Sequence, residues 1–473
     1  MNKYQMIIDG KSCDSGEYFD VINPANGQPF AQVAKAGPED VDRAVAAASA
    51  AFKGWSQASD EERKSMLHQV AELIEAHMPE LMELIVKETG KPMGGFQGIG
   101  AGMEVGGAAA WVHANTDIDL PVEVIQDDEQ ARVEVHRKPL GVVASITPWN
   151  WPLMIATWHF TPALRAGNTV VIKPSPFTPV ATTRLVELAN TVLPPGVLNL
   201  VCGGPDVGAA LTAHPDIAKI VFTGSTETGK SIMRVASDNL KRLTLELGGN
   251  DAGIVLDDVD TKAIAPKLVA ACFHNNGQTC AALKRLYVPA SIYKELAAEM
   301  VSVIQQLKVG DGMAEGTDLG PIQNARQLEI IKELAASARA DGGRFACGGN
   351  AIESDGYFFE PTLVLDVTDG QRLVDEEPFG PIVPMIKYHD VDDAVDRANA
   401  SDAGLGASVW SGDIDRALRV GQRLESGSLW VNDHGAIQPN APFGGVKQSG
   451  FGVEFGVQGL EEFTSIQTVK VVK

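Results

Sequence analysis

The chain has 473 residues, 44% of them apolar and 21% charged, with a formal net charge of −22. That length exceeds what one hydrophobic core serves, so at least two domains are expected of an ordinary globular composition. The acidic balance argues against nucleic acid or an anionic membrane as partner, since both need clustered Lys and Arg. No apolar run approaches the roughly 18 to 20 residues that span a bilayer. The N-terminus, Met1-Asn2-Lys3-Tyr4-Gln5, lacks a basic-then-apolar leader pattern. Five scattered cysteines (Cys13, Cys202, Cys272, Cys280, Cys347) form no disulfide framework and point to a reducing, cytoplasmic compartment.

Residues 1–30 read as short strands and turns, with Asn23-Pro24-Ala25-Asn26-Gly27 as one turn. A helix is expected from about Pro38 to Lys53, where Val41, Ala44, Val45, Ala48 and Phe52 share a face. Ser59-Asp60-Glu61-Glu62 has the form of a capping box opening the next helix. Residues 94–115, rich in Gly and Ala, suit close helix packing. From Val122 to Arg137 the period becomes two, with Asp127-Asp128-Glu129-Gln130 as the turn of a hairpin. That hairpin is either an ordinary surface feature or one that pairs with another subunit.

Between 140 and 256, strand-like runs at 140–146, 169–172, 197–201, 219–223 and 242–247 alternate with helical segments near 152–165, 178–192, 206–213 and 228–238. This rhythm predicts an α/β fold with a Rossmann-like parallel sheet and right-handed crossovers. Open sheets of this kind bind ligands beyond the carboxyl ends of their strands. Asn150, Lys173, Gly203-Gly204 and Gly224-Ser225 gather there. A second α/β series begins at Gly253-Ile254-Val255-Leu256, with helices near 261–273, 292–307 and 324–340 and strands at 361–365, 382–388 and 406–410. The tail is glycine-rich from Pro442 and ends in the alternating strand Ile466-Gln467-Thr468-Val469-Lys470-Val471-Val472.

Phe273-His274-Asn275-Asn276-Gly277-Gln278-Thr279-Cys280 ends a run of amides and small residues on a single cysteine. A lone cysteine is more often a buried, inert thiol than a nucleophile. Three other stretches change that reading here: Glu246-Leu247-Gly248-Gly249, Pro148-Trp149-Asn150 and Lys173-Pro174. Together with the cysteine stretch they resemble the aldehyde dehydrogenase superfamily, essentially from end to end.

The resemblance implies a discontinuous cofactor domain (1–120 and 141–247), a catalytic domain (248–441), and a small β bridging or oligomerisation element (121–140 and 442–473), with a homodimer or homotetramer as the assembly. It implies NAD as cofactor. Gly224-Ser225-Thr226-Glu227-Thr228-Gly229 follows a strand and opens a helix, where backbone N–H groups meet a pyrophosphate. It departs from the common G-x-G-x-x-G fingerprint and is weak alone. By the same resemblance Lys173 bonds the adenosine ribose, with Ser175 and Gly208 beside it, and is counted with the catalytic residues. Thr147, Pro148, Trp149 and Leu247 line the cofactor, Glu377 grips the nicotinamide ribose, and Phe379 packs against it. Proline in Lys173-Pro174-Ser175-Pro176 stands where many NAD-preferring relatives carry a glutamate, so NADP is possible.

For the chemistry, the resemblance casts Cys280 as the nucleophile that attacks an aldehyde to form a thiohemiacetal. The Asn150 amide and the Cys280 N–H stabilise the oxyanion. Loss of hydride to the nicotinamide leaves a thioester, and Glu246 activates the water that hydrolyses it. Read alone, Glu246 is equally a turn cap at a strand end. A base at this position separates hydrolytic members from those that pass the acyl group to coenzyme A. Trp151, Ile155 and Trp158 fall on one helical face; with Thr279, Ala281, Ile437 and Phe443 they are implied to line an apolar tunnel favouring aromatic or medium-chain aliphatic aldehydes. A semialdehyde substrate is the alternative, although no tunnel cation is evident. His274, near Cys280 in sequence, reads as structural. The nine histidines show no metal-ligand spacing, and no metal is expected. Two rivals remain: a cysteine hydrolase or acyltransferase using Cys280 with His274 and no redox cofactor, and a catalytically silent scaffold protein.

Overall fold

Five β-rich runs between residues 140 and 256 pair in parallel, and the order in which they join the sheet reverses at Val142–Ile146. In the computed structural model, which describes all 473 residues, Val142–Ile146 is flanked by Thr169–Lys173 and Leu198–Leu200 on one side. Ile217–Thr223 and Arg242–Glu246 lie on the other. The antiparallel edges Gly450–Phe451, Met6–Ile8 and Lys11–Cys13 complete eight strands. The register sets Ile146 opposite Lys173 and Phe222, and Thr223 opposite Glu246, so these strand ends are level. A crevice outside carboxyl ends at such a reversal is where open α/β sheets take ligands.

A second sheet of seven strands runs Arg344–Cys347, Thr362–Val367, Ile382–Tyr388, Leu283–Pro289, Asp251–Val255, Gly406–Trp410 and Ser428–Val431. All are parallel except the first. The helix Pro152–Arg165 is apolar nearly all round, and every one of its residues is buried, as a helix sandwiched between layers must be. Its neighbour Ala101–Thr116 has the Gly and Ala that permit close approach. The capping box at Ser59 forms as expected, with Glu62 and Ser59 exchanging hydrogen bonds.

The hairpin Glu123–Asp127 and Ala131–Pro139 is joined antiparallel by the last strand, Thr464–Val472, over nine residue pairs. Val124, Ile125, Ile466, Val471 and Val472 remain exposed on this small sheet. No helix is long and apolar enough to cross a membrane.

Candidate active site

The cysteine loop takes its shape from a short left-handed stretch. The helix Thr261–Phe273 stops at Phe273, and Asn275, Asn276 and Gly277 then adopt φ of 48°, 58° and 73°. Asn visits this region with less strain than most residues, and Gly without penalty. At Gly277 no side chain fits, because a Cβ would sit 2.2 Å from the Gly380 carbonyl oxygen. The amides of this stretch fix the backbone that leads to Cys280. Asn275 Nδ2 donates to the carbonyls of Gln278 (3.2 Å) and Asn150 (2.9 Å), and Gln278 Oε1 accepts from Gln323 N (2.9 Å).

Asn150 reaches the same loop from the first sheet. Its Nδ2 donates to Gln278 O at 3.0 Å, two residues before Cys280, which leaves its second N–H for another acceptor. Trp151 Nε1 donates to Thr279 Oγ1 at 3.0 Å. Cys280 and Asn150, 130 positions apart in the chain, are thus brought onto one loop.

The electrostatics are those of a closed site. Burial pushes the Cys280 thiol up to about 12; Lys284 pulls it down, while Glu246, Glu377 and Asp251 add to the rise. Lys284 donates to the Cys280 carbonyl (2.5 Å) and pairs with Glu377 Oε1 at 2.7 Å. Glu246, at the end of its strand, is buried, and neither carboxylate oxygen has a hydrogen-bond partner. Burial, then the Glu454 carboxylate, raise its pKa well above the ordinary carboxylate range. His159 Nε2 lies 3.1 Å from Glu454 Oε1 without hydrogen-bond alignment, and the ring bonds Thr223 Oγ1 and Ser145 Oγ, each at 3.0 Å. Because Glu454 raises Glu246, Glu454→Gln is expected to move the Glu246-dependent limb of the pH–rate profile to lower pH. A profile of kcat/KM against pH, read for wild type and variant, checks this.

The residues assigned to the cofactor meet at the level strand ends. Gly224 N donates to Glu246 O (2.9 Å), and Ser225 caps the helix Thr226–Ala236 by accepting from Thr228 N. That helix presents its positive end to the crevice. A Cβ at Gly229 would fall 2.6 Å from Leu247, so glycine lets this turn close on the strand. Lys173 is buried, its pKa lowered chiefly by burial, and its ammonium bonds only Pro174 O (3.2 Å); Gly208 lies against its side chain. Ser175 is buried, and Thr147 Oγ1 is enclosed without a partner. Half-buried Pro148 and Trp149 follow Thr147, and Trp149 meets the Phe379 ring edge-on at 5.3 Å. Glu377 also accepts from Gly249 N (3.2 Å). An ammonium with free donors, an orphaned hydroxyl and a helix N-terminus at the level strand ends, with the Glu377 carboxylate beside that helix terminus, fit a dinucleotide.

The residues expected to line the tunnel are packed together in the buried core beside Cys280. Trp151, Ile155, Trp158, Ala281 and Phe443 belong to one buried cluster, with Ile437 and Cys280 packed against it. Trp151 precedes the helix rather than lying in it. Phe455 and Trp111 extend the aromatic wall, Phe455 meeting Trp158 edge-on at 4.8 Å. His274 is pushed down to about 3 by burial, so it is a neutral ring edge-on to Trp151 at 5.3 Å. Sequence reasoning missed Lys284, Glu454, His159, Trp111 and Phe455, because each is set by long-range packing rather than by local pattern.

A family profile described as the aldehyde dehydrogenase family matches residues 11–469. The chain is 37% identical to the phenylacetaldehyde dehydrogenase of Pseudomonas fluorescens, covering 99% of this chain and 96% of that one. An NAD+ complex of an aldehyde dehydrogenase from Bacillus cereus superposes with a TM-score of 0.94 at 35% identity, covering 99% of this chain and 96% of that chain. A structure described as an NADP-dependent enzyme of E. coli gives a TM-score of 0.96 at 36% identity, covering 100% and 98%.

Proposed function

Because this chain belongs to the aldehyde dehydrogenase family and is an NAD(P)-dependent member of it, we propose that it converts an aromatic or medium-chain aliphatic aldehyde to its carboxylic acid through Cys280. The observation that carries this reading is the shared loop on which Asn150 bonds Gln278 two residues before the cysteine, with Glu246 buried and both its carboxylate oxygens unpartnered.

Lys173, the Ser225 helix terminus and Glu377 would hold NAD(P)+, which when bound would supply the hydride acceptor. Cys280, held as a thiol by burial, gives up its proton to Glu246 and attacks the carbonyl carbon. The free Asn150 N–H and the Cys280 N–H receive the oxygen as it turns negative. Loss of hydride from the thiohemiacetal carbon leaves a thioester on Cys280. Glu246, having passed the first proton to solvent, then takes a proton from water, whose oxygen attacks the thioester, and returns that proton to the departing sulfur, releasing the acid and the thiol. Burial, then the Glu454 carboxylate, raise the Glu246 pKa for this work.

The wall of Trp151, Trp158, Trp111, Phe443 and Phe455, whose nearest cation, Lys91 over Trp151, is already paired with Glu104, supports the apolar substrate class, and the phenylacetaldehyde relative agrees with it. A panel from acetaldehyde through octanal and benzaldehyde to succinic semialdehyde, run with NAD+ and NADP+ and followed by absorbance, is expected to show the highest kcat/KM for benzaldehyde or octanal. Preference for the semialdehyde would overturn the apolar reading.

We assign residues 1–120 and 141–247 to the cofactor unit, 248–441 to the catalytic unit, and 121–140 with 442–473 to a bridging element. The exposed apolar side chains and free edge of its small sheet support pairing into a dimer or a dimer of dimers. Five free cysteines support a cytoplasmic setting.

A further inference from the structure

Lys91 and Glu104 form an ion pair closed off from solvent, at 2% and 0% side-chain exposure. Such pairs gain little stability for the desolvation they cost, so their role is sought in the geometry they fix. Lys91 follows Gly90, whose left-handed conformation (φ 80°) ends the helix Met78–Thr89, and Glu104 lies in the first turn of the helix Ala101–Thr116. Neither residue touches Cys280, Glu246 or the cofactor crevice in any hydrogen bond or ion pair.

Their contacts converge instead on the turn that carries Asn150. Lys91 Nζ donates to the Asn150 carbonyl at 3.0 Å and stands 3.5 Å over the Trp151 ring. Glu104 Oε2 takes the third direction of the same ammonium. Glu104 Oε1 accepts from Leu153 N (3.0 Å) and Met154 N (3.4 Å), the first-turn donors of the helix Pro152–Arg165. Trp151 caps that helix without a side-chain hydrogen bond, so the cap is supplied by another helix. Residues Asn150 to Met154 are therefore held by this pair at four points. The Asn275 amide holds the same Asn150 carbonyl from the cysteine loop at 2.9 Å.

We propose that Lys91 and Glu104 are positioning residues that lock the backbone of Asn150 so that its amide meets the developing oxyanion. The inference rests on the reading of Asn150 as an oxyanion donor. A side-chain amide is aimed only as well as its backbone is fixed, and a displacement of about 1 Å at a reacting group can cost about 10²-fold in rate.

The test is a mutant cycle. Lys91→Met is expected to lower kcat by about 10- to 100-fold with little change in cofactor affinity. Asn150→Ala alone is expected to lower it by about 10²–10³-fold. In the Asn150→Ala background, Lys91→Met should cost less than about threefold more, because its target is already gone. Lys91→Met leaves Glu104 buried without its cation, which threatens folding. Lys91→Met/Glu104→Gln, which buries no charge, and Glu104→Gln alone therefore run through the same cycle. Thermal melting and nicotinamide fluorescence report folding and cofactor binding for each. If Asn150→Ala keeps wild-type kcat, the oxyanion reading fails. If Asn150→Ala is impaired but the losses multiply in full, the pair acts elsewhere and the positioning role fails.

Discussion

Cys280→Ser is expected to lower aldehyde oxidation by about 10⁴-fold or more while leaving NAD(P)+ binding intact. The substitution exchanges one small atom in a half-buried residue, so it removes nucleophilicity and little packing. The loop is held by Asn275, Gln278 and Lys284, none of which bonds the sulfur, so its shape should persist. The checks are NAD(P)H absorbance for turnover and nicotinamide fluorescence for binding. A Ser variant with wild-type turnover would remove Cys280 from the chemistry. A wild-type chain that binds no nicotinamide would favour the hydrolase rival, although His274, its pKa lowered to about 3 by burial, gives that rival only a weak base.

The second large effect belongs to Glu246→Gln. An amide cannot take a proton from water, so thioester hydrolysis should slow by about 10²–10⁴-fold. Because Glu246 also takes the Cys280 proton, rapid mixing of the variant should show no burst of NAD(P)H. A burst of one NAD(P)H per chain and then near-silence would restrict Glu246 to the hydrolytic step, and full steady-state turnover would remove it as base. The pH dependence has a definite sign. Burial and Glu454 raise the Glu246 pKa in the folded chain, so the base is protonated at low pH and steady-state rate climbs as pH rises through that raised value. Stability runs the other way. Between the unfolded carboxylate pKa and the raised folded one, the native chain binds the extra proton, so Glu246 costs stability progressively as pH rises across that window. Glu246→Gln removes this cost and should melt higher than wild type above neutrality. Melting curves at acid and alkaline pH would show the difference.

The parallel sheets were legible because their strands are apolar on both faces and punctuated by Gly and Pro, which is local information. The cysteine, the asparagine and the glutamate were legible because each sits in a short stretch whose pattern resembles a known family. What the pattern did not carry was the support beneath them. Lys91 reads as a solvated lysine after a glycine, and Glu104 as an ordinary helical glutamate; only the packing of two helices under the Asn150 turn buries and pairs them. Lys284 and Glu454 are silent for the same reason, since their partners lie 93 and more than 200 positions away in the chain. The left-handed Asn275-Asn276-Gly277 stretch was visible as a run of amides, but its reason, contact with Gly380, was not.

The enclosure of the Cys280 thiol has a consequence for the idle enzyme. Peroxide and exogenous disulfides attack the thiolate form of cysteine far faster than the protonated one. Burial raises the pKa of this sulfur, so alkylation of the cofactor-free chain by iodoacetamide is expected to be slow at neutral pH and to quicken as pH rises, with loss of aldehyde oxidation as the readout.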